Sequence, residues 1–98
     1  MKQFFLTPAA EADLAEILDF LCEESPVAAE RVLIKIHAAI RKLTENPLLG
    51  HLREDLADEP LRFWNVYSYL IVYRAKTSPL QIVRILHGMR NIREILEI

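Results

Sequence analysis

The chain has 98 residues, enough for one domain (residues 1–98) and too few for two. Hydrophobic residues make up 52% and charged residues 27%, a balance that excludes disorder, and so short a chain has little room for a large catalytic cavity beside its core. The net charge is −2 and the pI about 5.9, which argues against direct nucleic-acid binding, where a strongly basic domain is expected.

Other exclusions follow from the same inspection. The longest strongly apolar run, residues 69–73, is far too short to span a membrane, and the first six residues are too brief for a secretory core. The lone Cys22 cannot form an internal disulfide, which fits a reducing cytoplasm. With acids at positions 23 and 24 it is expected to be a small packing residue, not a reactive thiolate.

In chain order, residues 3–6 read as a short strand. Thr7-Pro8 then opens a helix, because threonine caps and proline suits the first helical position. Leu14, Ile17, Leu18 and Leu21 give that helix an apolar stripe, with Glu11, Asp13, Glu16 and Asp19 on its other faces, to about Glu24. Ser25-Pro26 repeats the start signal. A second helix places Val32, Leu33, Ile36, Ile40 and Leu43 inward and Arg31, Lys35, Arg41 and Lys42 outward, until Asn46-Pro47 stops it. So short a join predicts an antiparallel helical hairpin.

Residues 46–60, with two prolines, Gly50 and several acids, read as a connecting loop. Residues 61–66, 69–74 and 80–87 are rich in aromatic and β-branched side chains and read as an antiparallel three-strand meander. Gly88 ends the last strand, and Asn91 caps a short helix bearing Ile92, Ile95 and Leu96. The expected fold is α+β, in the order β-α-α-β-β-β-α. A helical hairpin packs on one face of a small twisted, mostly antiparallel sheet. The other face, near the final helix, is expected to lie open to a partner.

This order and several residue groups resemble the ParE/RelE superfamily of toxins from bacterial type II toxin–antitoxin systems, and the ParE branch most. The resemblance covers nearly the whole chain. It rests on Thr7-Pro8-Ala9-Ala10 with Asp13-Leu14, and on Asn46-Pro47-Leu48-Leu49-Gly50 followed by Arg53. It rests further on Tyr69-Leu70-Ile71-Val72-Tyr73-Arg74, on Ile82-Val83-Arg84-Ile85-Leu86-His87-Gly88 and on Arg90-Asn91-Ile92. The resemblance implies one of two activities on one fold: ParE-like poisoning of DNA gyrase, or RelE-like cleavage of messenger RNA on the ribosome. It also implies a cognate antitoxin, ParD-like for the ParE branch, bound in a hetero-oligomer. A non-toxic member kept only as a binding module is a third alternative.

An RNA-cleaving site would need an acid or base and cations for the phosphate, and His87, Arg84 and Arg74 are the candidates, with Tyr69 or Tyr73 as a polar aid. Arg84 and His87, however, have opposite parity, so a regular strand sends them to opposite faces unless a bulge near Gly88 intervenes. His87 reads also as a strand-end histidine bonded to the turn, and Arg84 and Arg74 as partners of the chain's own acids or of an antitoxin carboxylate. Tyr69, Tyr73 and Trp64 sit at strand spacing and read as packing. His37 and His51 stand apart from cysteines and paired acids, and no cofactor or metal is expected.

The binding alternative needs only surfaces. Residues 11–24 carry six acids and no base, residues 54–59 four acids and no base, and residues 62–93 six bases and no acid. The basic side of the sheet is therefore expected to receive an acidic antitoxin segment through Arg62, Trp64, Arg74 and Arg84. The segment 90–98, with Arg90, Ile92, Arg93, Ile95 and Leu96, is expected to hold the target or to close the core.

Overall fold

The computed structural model describes residues 3–96; residues 97 and 98, the last two of the expected contact segment, lie outside the described residues. The elements are β1 (Phe4–Leu6), α1 (Pro8–Glu24), α2 (Pro26–Glu45), β2 (His51–Leu52), β3 (Arg62–Val66), β4 (Tyr69–Arg74), β5 (Leu80–His87) and α3 (Ile92–Leu96). The α+β order expected from the sequence is present. The connecting loop holds two elements that local pattern did not show, a 3-10 turn at Pro47–Leu49 and the two-residue strand β2.

The cap signals act as their chemistry requires. Thr7 Oγ1 accepts from Ala10 N at 3.1 Å and donates to Val83 O at 2.7 Å, so one hydroxyl starts α1 and ties it to β5. Ser25 donates its N–H to Leu21 O and accepts from Ala28 N through its hydroxyl. This single residue closes α1 and opens α2, which forces the tight hairpin.

The sheet has strand order β1-β5-β4-β3-β2. β1 runs parallel to β5, and every other pairing is antiparallel. One face packs under the hairpin: Ile36, Ile40 and Leu43 of α2 meet Val66, Ile71, Tyr73, Ile82 and Ile85. A bulge at Val83 makes this possible, because the register shifts between Tyr73↔Ile82 and Val72↔Arg84. Ile82 and Ile85, of opposite parity, then share the helix side.

The second face is not open. Leu56, Ala57 and Leu61 from the loop, with Ile92, Ile95 and Leu96 of α3, cover Phe63, Leu70, Val72 and Leu86. The expected free face is lost because β3, β4 and β5 carry apolar side chains on both sides, and those must also leave water. Cys22 is likewise corrected: it is exposed, since the apolar stripe of α1 turns elsewhere and leaves position 22 outward.

Tyr73 locks the loop to the sheet. Its hydroxyl donates to Pro47 O at 2.7 Å and accepts from Gly50 N at 2.8 Å. Arg62 adds a hydrogen bond to Gly50 O at 2.7 Å. A Cβ on residue 50 would lie 2.5 Å from the Tyr73 hydroxyl, so only glycine fits. Burial pushes the Tyr73 phenol above its ordinary value, with the Gly50 N–H and the Arg62 charge opposing.

Gly50→Ala should destabilise the protein by about 1–3 kcal/mol through overpacking, and Tyr73→Phe by a similar amount through unpaired loop groups, both read by urea unfolding. The folded state holds the Tyr73 proton more tightly than the unfolded chain. That stabilisation is complete below about pH 10 and is lost as pH rises through the folded value, so Tyr73→Phe should flatten the alkaline loss seen in the native chain.

Candidate functional site

Beyond Ile82 no strand among the described residues pairs with the outer edge of β5, because β1 ends there. Asp13 of α1 fills part of the vacancy. Its Oδ2 accepts from Ile85 N at 3.0 Å and from Arg84 Nε at 2.7 Å, and its Oδ1 accepts from Arg84 Nη2 at 2.8 Å. The sequence pattern had put Asp13 on an outer face; it is 7% exposed, on the same helix side as Ala10 and Ile17. A signal was present in the spacing, since positions 10, 13 and 17 fall on one stripe, but an acid on a buried stripe needs a partner to be credible. Hydrogen bonding to Asp13 raises the Arg84 guanidinium above its ordinary value despite partial burial.

Arg74, Arg93 and Arg62 are also engaged. Arg74 donates to Glu59 and Gln81. Arg93 donates to Asp58 and to the carbonyls of Glu54 and Asp55, and Arg62 to those of Leu48 and Gly50. Arg74, Arg84 and Arg93 thus meet the chain's own acids, from the loop and from α1, while Arg62 meets backbone carbonyls. Nor do the four residues expected to bind an antitoxin share one surface. Arg62 and Arg74 line a recess of about 300 Å³ with Leu48, Leu52 and Lys76. Trp64 packs on the helix side, and Arg84 sits at the far edge on Asp13.

His87 pairs with Tyr69 across the ladder, ring edge to ring face at 5.5 Å. Its Nδ1 accepts from Met89 N at 3.1 Å, the turn bond read from its position, which leaves Nε2 to carry the proton in the neutral form. The bulge lies before Arg84, so the register runs unbroken from Arg84 to His87 and their opposite parity stands. His87 instead faces a cleft of about 270 Å³ with Ile17, Phe20, Tyr69, Ile85 and Arg90.

Of the expected target-contact residues, Arg90 is exposed, whereas Ile92 is 4% exposed and Ile95 and Leu96 pack against the second core. α3 is held by its cap, where Asn91 Oδ1 accepts from Glu94 N at 3.4 Å while Asn91 Nδ2 donates to Glu94 Oε2 at 3.1 Å, and by Arg93 on Asp58. Among the described residues no group of three or more His, Cys, Asp and Glu side chains could hold a metal, and no helix is long and apolar enough to cross a membrane.

This architecture defines a small α+β protein in which a helical hairpin lies over a five-stranded sheet and a C-terminal helix closes the back. The chain belongs to the ParE family of toxins from type II toxin–antitoxin systems, within the ParE/RelE superfamily: the family model described as the ParE toxin of the parDE system matches residues 4–92. It is 34% identical over 90 residues to toxin RelE2 of Caulobacter vibrioides, covering 92% of this chain and 99% of that one. It is 30% identical over 93 residues to toxin ParE3 of the same organism, covering 94% and 92%. A chromosomal ParDE toxin–antitoxin structure from P. aeruginosa has the same fold, with a TM-score of 0.70 at 24% identity, over 89% of this chain and 96% of that chain.

Arg84→Ala leaves the buried Asp13 carboxylate with Ile85 N–H alone. It should cost about 3–5 kcal/mol in urea unfolding, and Arg84→Lys, which cannot donate through a fork, should fall between.

Proposed function

We propose that this chain inhibits DNA gyrase by binding it, in the cytoplasm, and so arrests growth. A cognate ParD-like antitoxin neutralises it in a hetero-oligomer. One observation carries the choice of binding over catalysis: the groups that RNA cleavage would require are apart and already engaged. Arg74 lies opposite Gln81 and His87 opposite Tyr69, at the two ends of the β4–β5 ladder. Tyr69 and Arg74 are five residues apart along β4, which is about 17 Å of strand. Arg84 is committed to Asp13 and Arg74 to Glu59, so neither cation is poised for a phosphate without losing a partner.

The target contact is assigned to Arg90 and the turn before α3 more than to the apolar side of α3, because Ile92, Ile95 and Leu96 serve the second core. Removing the segment after Arg90 would strip Phe63, Leu70 and Leu86 of their cover, so point variants are the better probe.

Purified protein should inhibit gyrase supercoiling and trap cleaved DNA. Arg90→Ala should weaken inhibition about tenfold while leaving the urea midpoint unchanged. His87→Ala should still arrest growth. Ribosome-dependent messenger RNA cutting that His87→Ala abolishes, with gyrase untouched by a large excess of folded protein, would overturn the reading.

A further inference from the structure

The cleft beside His87 holds two unpaired charges of opposite sign. Asp13, Glu16, Ile17 and Phe20 recur at the spacing that places side chains on one helix face, and this face of α1 forms one wall. Tyr69, Ile85 and His87 of the sheet form the other, and Arg90 stands in the turn beyond β5. Phe20 is 63% exposed although it is a large apolar side chain.

The charge of Asp13 is already met by Arg84. Glu16 and Arg90 are both exposed, and neither side chain makes an ion pair or a hydrogen bond among the described residues, with each other or with any other group. His87 adds a donor, because its Nδ1 is taken by Met89 N and its Nε2 carries the proton in the neutral form. The cleft therefore offers a carboxylate from α1, a guanidinium and an N–H from the end of β5 and its turn, and apolar surface from Ile17, Phe20 and Ile85. Its volume of about 270 Å³ lies just below the usual range for drug-sized ligands, about 300–1,000 Å³, which suits a small molecule.

We propose that this cleft binds a free amino acid with a large apolar side chain. The ammonium group meets Glu16, and the carboxylate meets Arg90, with His87 Nε2 as a second donor. The side chain covers Phe20 and the apolar surface of Ile17 and Ile85. A ligand with both charges fits best, because a simple anion is repelled by Glu16 and a simple cation by Arg90. A residue within a peptide chain has neither terminal charge, so it leaves both groups of the cleft unanswered. The assignment stands on the lining of the cleft and is independent of gyrase as the target.

L-phenylalanine titrated into the isotope-labelled full chain should give saturable shifts of the His87 imidazole and Arg90 amide resonances, with the millimolar affinity expected of so small a ligand. N-acetyl-phenylalanine lacks the ammonium group and phenylalaninamide lacks the carboxylate; each should bind at least about fivefold more weakly. Glycine, with both charges and no side chain, should bind too weakly to saturate. Glu16→Gln should lose the preference for phenylalanine over its acetylated form, and Arg90→Gln should reduce the preference over the amide. Both positions are exposed and break no ion pair, so the urea midpoint should not move in either variant. Absence of a saturable shift, equal binding of the blocked analogues or of glycine, or full discrimination kept by both variants would overturn the proposal. Tighter binding of the blocked tripeptide acetyl-Lys-Phe-Asp-amide than of phenylalanine would overturn it as well, and would make the cleft a docking point for a protein segment.

Discussion

The carboxylate of Asp13 fixes how the helical hairpin sits on the sheet. α1 has only Ala10 and Asp13 fully buried, so its apolar stripe alone gives it a weak grip on the strands. Asp13 supplies what the stripe lacks. It takes the Ile85 N–H that a neighbouring strand would otherwise receive, and it holds Arg84 through both oxygens. Thr7 fastens the start of the same helix to Val83, within the bulge. With α1 so fixed and Ser25 joining the helices without slack, α2 is delivered over the sheet, where Ile36, Ile40 and Leu43 are buried.

The same electrostatic economy decides which surfaces remain available. Acids and bases are separated along the sequence and recombined by the fold: Asp13 with Arg84, Glu59 with Arg74, Asp58 with Arg93. Ion pairs on the exposed loop contribute little to stability individually. Their larger consequence is for recognition, because a paired arginine attracts an external carboxylate far less than a free one. Among the described residues, the cations left without ion pairs include the exposed Arg31, Lys35 and Lys42 of α2.

The C-terminal segment illustrates how a core of this size limits function. Both faces of a five-stranded sheet need cover, and a chain of 98 residues has little to spare. The apolar side chains of α3 and of the loop around Ala57 are therefore structural first, while Met89 and Arg90 in the turn before α3 are exposed.

Much of this was legible in the linear sequence, for local reasons. Thr7-Pro8, Ser25-Pro26 and Asn91 announce helix starts because capping is a contact over three residues, and the strands of the meander show in their β-branched and aromatic runs. The element order and the family resemblance followed from those signals. The turn bond of His87 and the pairing of Arg74 and Arg84 with the chain's own acids were readable as residue chemistry. What tertiary structure alone decided involves residues far apart in sequence. Asp13 is buried because the edge of β5, 72 residues away, needs an acceptor. The bulge at Val83 puts Ile82 and Ile85 on one side, which strict alternation forbids. The second face is closed because the loop returns to it, and three of the arginines expected to be available, Arg74, Arg84 and Arg93, are paired with distant acids. Periodicity records which side chains share a face of one element; it carries no information about which element will lie against that face.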